Sequence, residues 1–156
     1  MNSTLTEGVA AVRRIALGSF FIGALLMTTS TQADESESAY SVMKTWFETV
    51  NPDLLHDDVE WIVPGYPVDQ EVYVGKEAVF SVFFPALTSQ FSEWGAETER
   101  MIDGGDDVTV IGRYIGKTHS GQSVTIPFIH VWTVQNGKIT RVISGANTAV
   151  FSEVLQ

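Results

Sequence analysis

The feature that most constrains this chain is the alternation running from Ser123 to Val134. Ile126, Phe128, His130, Trp132 and Val134 share one parity, while Thr125, Pro127, Ile129, Val131 and Thr133 share the other. Successive side chains of a strand point to opposite faces, so this segment reads as a strand with one large, aromatic face. It is the middle member of three within Asp107 to Val142. Val108 to Ile115 precedes it as a β-branched and aromatic strand, and Ile139 to Ser144 follows it. His119-Ser120-Gly121-Gln122 has the composition of a turn, and Asn136-Gly137 is the strongest short hairpin signal in the chain. His130 is the single ionisable group on the aromatic face. A lone imidazole among apolar neighbours marks that face as the wall of a cavity.

The rest of the chain supplies helices to cover it. From Tyr40, the positions Met43, Trp46, Phe47 and Val50 follow helical spacing, and Asn51-Pro52 ends that helix. His56-Asp57-Asp58 is expected as a polar turn, Val59 to Val63 as a strand and Glu71 to Val74 as a short strand. Gly75 to Ser89 reads as a long helix with Val79, Phe80, Phe83, Phe84 and Leu87 on its apolar side, although Pro85 conflicts with an unbroken helix. Phe91 to Met101 is expected as a strand, and Asn147 to Leu155 as a closing helix or a trailing strand end. Helices grouped beside a mostly antiparallel sheet make an α+β fold. Both faces of the two longest strands carry apolar residues. One is assigned to helices and cavity, the other to a second copy of the chain, so a homodimer is expected.

Residues 1–33 are expected to lie outside the folded domain, which is placed at 34–156. Arg13-Arg14 precede an apolar run from Ile15 to Met27, and small polar residues lead to Ala33. That order is a secretory signal peptide, implying a periplasmic or secreted protein. The apolar run is shorter than the ~20 residues of a spanning helix, so no stable membrane association is expected once the signal is removed; a retained anchor is the competing outcome. The Arg pair also admits twin-arginine export, against which Ala16 stands where a bulky apolar residue is usual. The formal net charge of -10 argues against nucleic acid as a partner. The chain has no cysteine, which excludes thiolate catalysis and zinc–thiolate sites.

Val74-Gly75-Lys76-Glu77-Ala78-Val79-Phe80 at the long helix and Val131-Trp132-Thr133-Val134-Gln135-Asn136-Gly137-Lys138-Ile139 at the last hairpin, with this element order, resemble the SnoaL-like family. That family belongs to the nuclear transport factor 2-like superfamily, with ketosteroid isomerase as its best-known enzyme. The resemblance spans roughly Tyr40 to Val154. It implies a cone, a curved, mostly antiparallel sheet wrapped around helices, with a pocket at the open end. The isomerase positions do not carry over. Its base falls at Val63, its oxyanion tyrosine at Trp46, the supporting tyrosine at Phe83, and its protonated aspartate at His130. A base and an acid are what that reaction needs, so steroid isomerisation is not expected.

The candidate chemistry therefore centres on His130, read either as an acid/base group or as a satisfied core residue. Trp46, Trp61, Val63, Phe83, Phe128 and Trp132 are the candidates to line a site for an apolar molecule, with core packing as the competing role. Asn147 is a candidate hydrogen-bonding group at the cavity edge, or else a helix N-cap. Tyr66 and Tyr73 are placed near the mouth, as candidates to orient a polar group on a ligand. Glu60 and His119 read as surface, and His56-Asp57-Asp58 as a solvated turn, so no metal and no cofactor is expected. Two functions follow: a module binding a small apolar molecule, and a lyase, isomerase or cyclase using His130.

Overall fold

The structure is a computed structural model and describes residues 37–155. The expected signal segment lies outside the described residues. Helix α1 (Ala39–Thr49) starts where Ser38 Oγ accepts the backbone N–H of Ser41 at 3.2 Å, and buries Ala39, Val42, Met43 and Trp46. It ends on Val50, whose backbone takes the left-handed conformation with φ 48°. A 3-10 turn (Pro52–Leu54) follows, then β1 (Leu55–Ile62) and β2 (Val72–Val74). β1 begins earlier than the spacing predicts. His56, Asp57 and Asp58 fall inside it rather than in a turn, and the irregular pairing between Leu55 and Glu60 accommodates them.

The long helix Gly75 to Ser89 is not one regular helix. It comprises α2 (Lys76–Ala78), a π-helical turn (Val79–Phe83) and α3 (Phe84–Thr88). In the π turn the N–H of Phe84 reaches back five residues to the carbonyl of Val79. Pro85 explains the break. It has no N–H, and its ring would strike the carbonyl of Ser81 in an unbroken helix, so it opens a new helical segment instead.

Four long strands complete the fold: β3 (Phe91–Gly104), β4 (Asp107–Thr118), β5 (Ser123–Gln135) and β6 (Lys138–Ala146), followed by α4 (Thr148–Val154). The sheet order is β2-β1-β6-β5-β4-β3, antiparallel throughout except for the parallel pair β1 and β6. The β5–β6 hairpin turns on Asn136 and Gly137, both at positive φ, the conformation that the Asn-Gly pair predicts. Register shifts in β3 and near the end of β5 bend a sheet this long. The architecture is α+β, with a curved, mostly antiparallel sheet.

The inner face of the sheet carries the core. Val124, Ile126, Phe128, His130, Trp132 and Val134 of β5 are all buried, and Val108, Val110 and Tyr114 continue the face on β4. α1 packs against β3, β4 and β5, α3 against β3, and α4 against β5. Gly112 sits opposite Phe128 because nothing larger fits: a Cβ there would lie 2.2 Å from the carbonyl oxygen of Glu97 and 2.7 Å from Cζ of Phe128. The outer face of β5 is open in the single chain, with Ile129 57% exposed.

Candidate functional site

A cavity of about 330 Å³ opens between the helices and the inner face of the sheet. Its walls come from α1, the broken helical run and four of the strands. α1 supplies Trp46 and Phe47, β1 supplies Trp61, the helical run supplies Phe83, Phe84 and Leu87, and the sheet supplies Trp94, Tyr114, His130 and Trp132. Val50, Thr88 and Ala96 line the cavity while remaining partly or fully exposed, which places them at its rim. Trp132 is the centre of the aromatic packing, with ring centroids 5.7 Å from Trp46, 5.6 Å from Phe47 and 5.2 Å from Trp61. Aromatic pairs at such spacings make a rigid, apolar wall.

One patch of that wall is polar. His130 Nε2 lies 2.9 Å from Ser144 Oγ and 3.1 Å from Tyr114 Oη. Tyr66 Oη lies 2.9 Å from Ser144 Oγ and 3.1 Å from Tyr114 Oη. These four groups form a ring of hydrogen bonds within the core, all in buried residues. Below it, the ring of Phe128 stacks on His130 at 4.1 Å with 19° between planes, fixing the imidazole plane.

Burial sets the protonation state. Removed from water, the charged imidazolium is disfavoured, and the His130 pKa falls to about 3. Burial likewise raises the phenols of Tyr66 and Tyr114 above their usual value. At neutral pH the ring of four groups is therefore uncharged, a relay of hydroxyls ending on a neutral imidazole. Among the described residues, three buried side-chain nitrogens have no hydrogen-bond partner: His130 Nδ1, Trp61 Nε1 and Trp132 Nε1. All three belong to residues that line the cavity.

The residues expected from sequence divide into two groups. Trp46, Trp61, Phe83, His130 and Trp132 line this one cavity. Val63 is fully buried but sits past the end of β1, outside the lining, where its N–H donates to the carbonyl of Glu71. Phe128 supports His130 from behind rather than facing the cavity. Asn147 is exposed at the start of α4, makes no capping bond, and borders a separate surface groove with Pro127 and Ile129. Tyr66 is buried rather than at a mouth, and Tyr73 packs on Phe83 at 5.1 Å. His56 Nδ1 accepts the N–H of Asp58, and Asp57 pairs with Lys76 at 2.7 Å. Among the described residues, no three His, Asp or Glu side chains converge to hold a metal.

Sequence reasoning missed Tyr114 and Ser144, and set Tyr66 at the mouth rather than in this buried cluster. Tyr114 and Ser144 carry a legible signal, since each continues the inward parity of its strand after Val110 and Val142. Tyr66 has none: it comes from the loop between β1 and β2 and reaches the relay only through the fold.

The described fold has clear likenesses among solved structures. TerC, crystallised with polyporic acid, is 24% identical over 75% of this chain and 95% of its own, with a TM-score of 0.64. An NTF2-like protein of unknown function from Burkholderia pseudomallei is 21% identical over 76% of this chain and 97% of its own, with a TM-score of 0.66. A candidate SnoaL-like polyketide cyclase from Jannaschia sp. CCS1 is 16% identical over 75% of this chain and 90% of its own, with a TM-score of 0.64. At these identities the likeness is one of fold. The comparison with curated proteins returns no match. The family model of the SnoaL-like domain matches residues 47–142, from the end of α1 into β6. With the curved sheet, the enclosing helices and that match all in agreement, the chain belongs to the SnoaL-like domain family.

Proposed function

We propose that this protein binds a small, largely apolar molecule in the cavity and holds it by the polar patch at His130. The observation that carries this reading is the contrast within one cavity wall. Tryptophans and phenylalanines supply half of its lining, and a buried hydrogen-bonded pair, His130 and Tyr114 backed by Ser144, interrupts them. Sites for small organic ligands have this composition, an apolar lining with few placed polar groups. The co-crystal of TerC, a protein of this fold, with polyporic acid supports the reading. Native mass spectrometry of the protein purified from its own cell tests it. A retained organic ligand, lost on His130→Phe, is the expected result. A ligand-free protein that also takes up no apolar probe would refute the reading.

A second reading is favoured by the relay itself. A neutral imidazole joined to Ser144 and Tyr114, and through them to Tyr66, can accept a proton at Nε2 within a connected set of hydroxyls. This would suit a lyase, isomerase or cyclase acting on the bound molecule, with His130 as the acid/base. Chemical change of the retained ligand by wild-type protein but not by His130→Phe separates catalysis from binding.

Two further parts of the proposal concern the chain's setting. Export by the N-terminal segment is supported by the order of Arg13-Arg14, apolar run and Ala33, and N-terminal sequencing of the exported form tests it. Pairing of two copies through the outer face of the sheet is supported by the exposure of Ile129 at 57% and Ile115 at 37% on neighbouring strands.

A further inference from the structure

Helix α4 touches the site without lining it. Among the described residues, none of 147–155 borders the cavity. The helix has seven residues, too few to hold together by its own hydrogen bonds. One side chain does most to dock it. Phe151 is its single buried residue, while Val150, Val154 and the following Leu155 pack against the core only in part. Asn147 gives the helix no capping bond, and its own N–H donates instead to the carbonyl of Pro127 at 3.0 Å.

Phe151 reaches two aromatic groups with different places in the site. Its ring lies 5.2 Å from that of Tyr66, nearer than Phe83 at 6.2 Å or Tyr114 at 6.4 Å. It also stacks on Trp94 at 6.1 Å with 25° between planes. Tyr66 belongs to the hydrogen-bonded cluster, and Trp94 belongs to the cavity wall. The two converge on Tyr114: Tyr66 Oη is 3.1 Å from its hydroxyl, and Trp94 packs 4.7 Å from its ring. Tyr114 in turn lines the cavity and meets His130 Nε2 at 3.1 Å. Tyr66 needs outside support because it stands on the loop between β1 and β2, not in a strand register. The helix meets that loop at the preceding residue as well, since a Cβ on Gly65 would lie 3.3 Å from Thr148 Cγ2.

We infer that Phe151 is a positioning residue for the site: from the C-terminal helix it holds Tyr66 and Trp94 against Tyr114, so that docking of α4 and filling of the cavity favour each other. The coupling rests on the ligand-binding reading and adds an element outside the cavity that regulates it. A molecule in the cavity contacts Trp94 and Tyr114 and restricts them. Less freedom is then left to lose when Phe151 packs on Trp94. Linkage makes the effect mutual: the factor in affinity lost when the helix undocks returns as protection of the helix when the cavity fills.

The test uses the full chain with naphthalene as the probe, and hydrogen exchange read by NMR. In the free protein, α4 should exchange faster than the core strand β5, by local opening. Saturation with naphthalene should slow exchange in α4 by about tenfold, within the usual range of coupling between sites. Phe151→Ala should bind naphthalene more weakly by the same factor, and Phe151→Leu, which keeps most of the packing, should stay close to wild type. In free Phe151→Ala, the Trp94 indole and His130 imidazole resonances should move, which a change confined to the helix would not cause. Unchanged α4 exchange in wild-type protein that binds naphthalene overturns the coupling, leaves the cavity as a binding site and requires no variant to fold. Wild-type affinity in a folded Phe151→Ala overturns it as well. If wild type takes up no naphthalene, the binding reading and the coupling fail together. Unmoved Trp94 and His130 resonances in Phe151→Ala remove the positioning role whether or not the probe binds.

Discussion

Ser144 lies directly across from His130 in the β5–β6 pairing, and its Oγ sits 2.9 Å from the imidazole Nε2. Residues opposite one another on paired strands share a face, so the register that aligns the hairpin also joins the hydroxyl to the imidazole. The acid/base candidate on the cavity wall is thus held by backbone geometry rather than by a loop.

Replacing His130 with Phe keeps the volume and removes the acceptor that Ser144 and Tyr114 share. Stability should fall by ~1–3 kcal/mol, the cost of leaving buried hydroxyls unmet, with the fold retained. Thermal melts and ligand retention measured on the same preparation check this. Unchanged stability would show that the hydroxyls find other partners.

The His130 pKa of about 3 predicts acid sensitivity with a definite sign. The unfolded chain takes up a proton near the ordinary value of ~6.5, while the folded chain refuses it until about pH 3. The unfolded state therefore binds more protons in this window, and stability drops as pH falls through it, by at most ~1.4 kcal/mol per unit. Above pH ~6.5 this contribution is flat. Denaturant midpoints of wild type and His130→Phe between pH 7 and 4 should converge as pH falls. Parallel curves would mean that His130 titrates normally.

Val50 holds a β-branched side chain at φ 48°, a conformation that L-residues pay ~1–2 kcal/mol to adopt. It is half exposed, so little packing is at stake. Val50→Gly should raise stability by ~0.5–1 kcal/mol. Since Val50 also lines the cavity, a loss of ligand affinity alongside the gain would indicate that the strain serves the site.

Gly112→Ala should be among the most damaging small changes. The added methyl meets the Glu97 carbonyl and the Phe128 ring, and the backbone contact cannot yield without opening the β3–β4 pairing. A cost near ~3 kcal/mol is expected from overpacking of this kind. Because Phe128 backs the imidazole, the His130 chemical shifts should move as well.

Ile129→Asp tests the proposed pairing. At 57% exposure the change should barely alter the stability of a single chain. If two copies meet on this face, it buries an unpaired carboxylate and should yield monomers in light scattering. A dimer that survives the change would place the interface elsewhere.

The strand alternation of β5 was readable from sequence alone, as was the Asn136-Gly137 turn, because both depend on neighbours within a few residues. That local pattern was enough to put His130 and Trp132 on one inward face with Phe128. Tertiary structure decided what the pattern could not reach. The break in the long helix follows from Pro85, but its form as a π turn depends on how Phe83 and Phe84 pack on Trp61. The closed fold also leaves Val63 and Asn147 outside the cavity. Tyr66 meets Ser144 from 78 residues away, through a loop whose course no periodicity encodes. Period-2 spacing determines which way a side chain faces; which distant hydroxyl it meets there is set only when the chain closes on itself, and with it the protonation of His130.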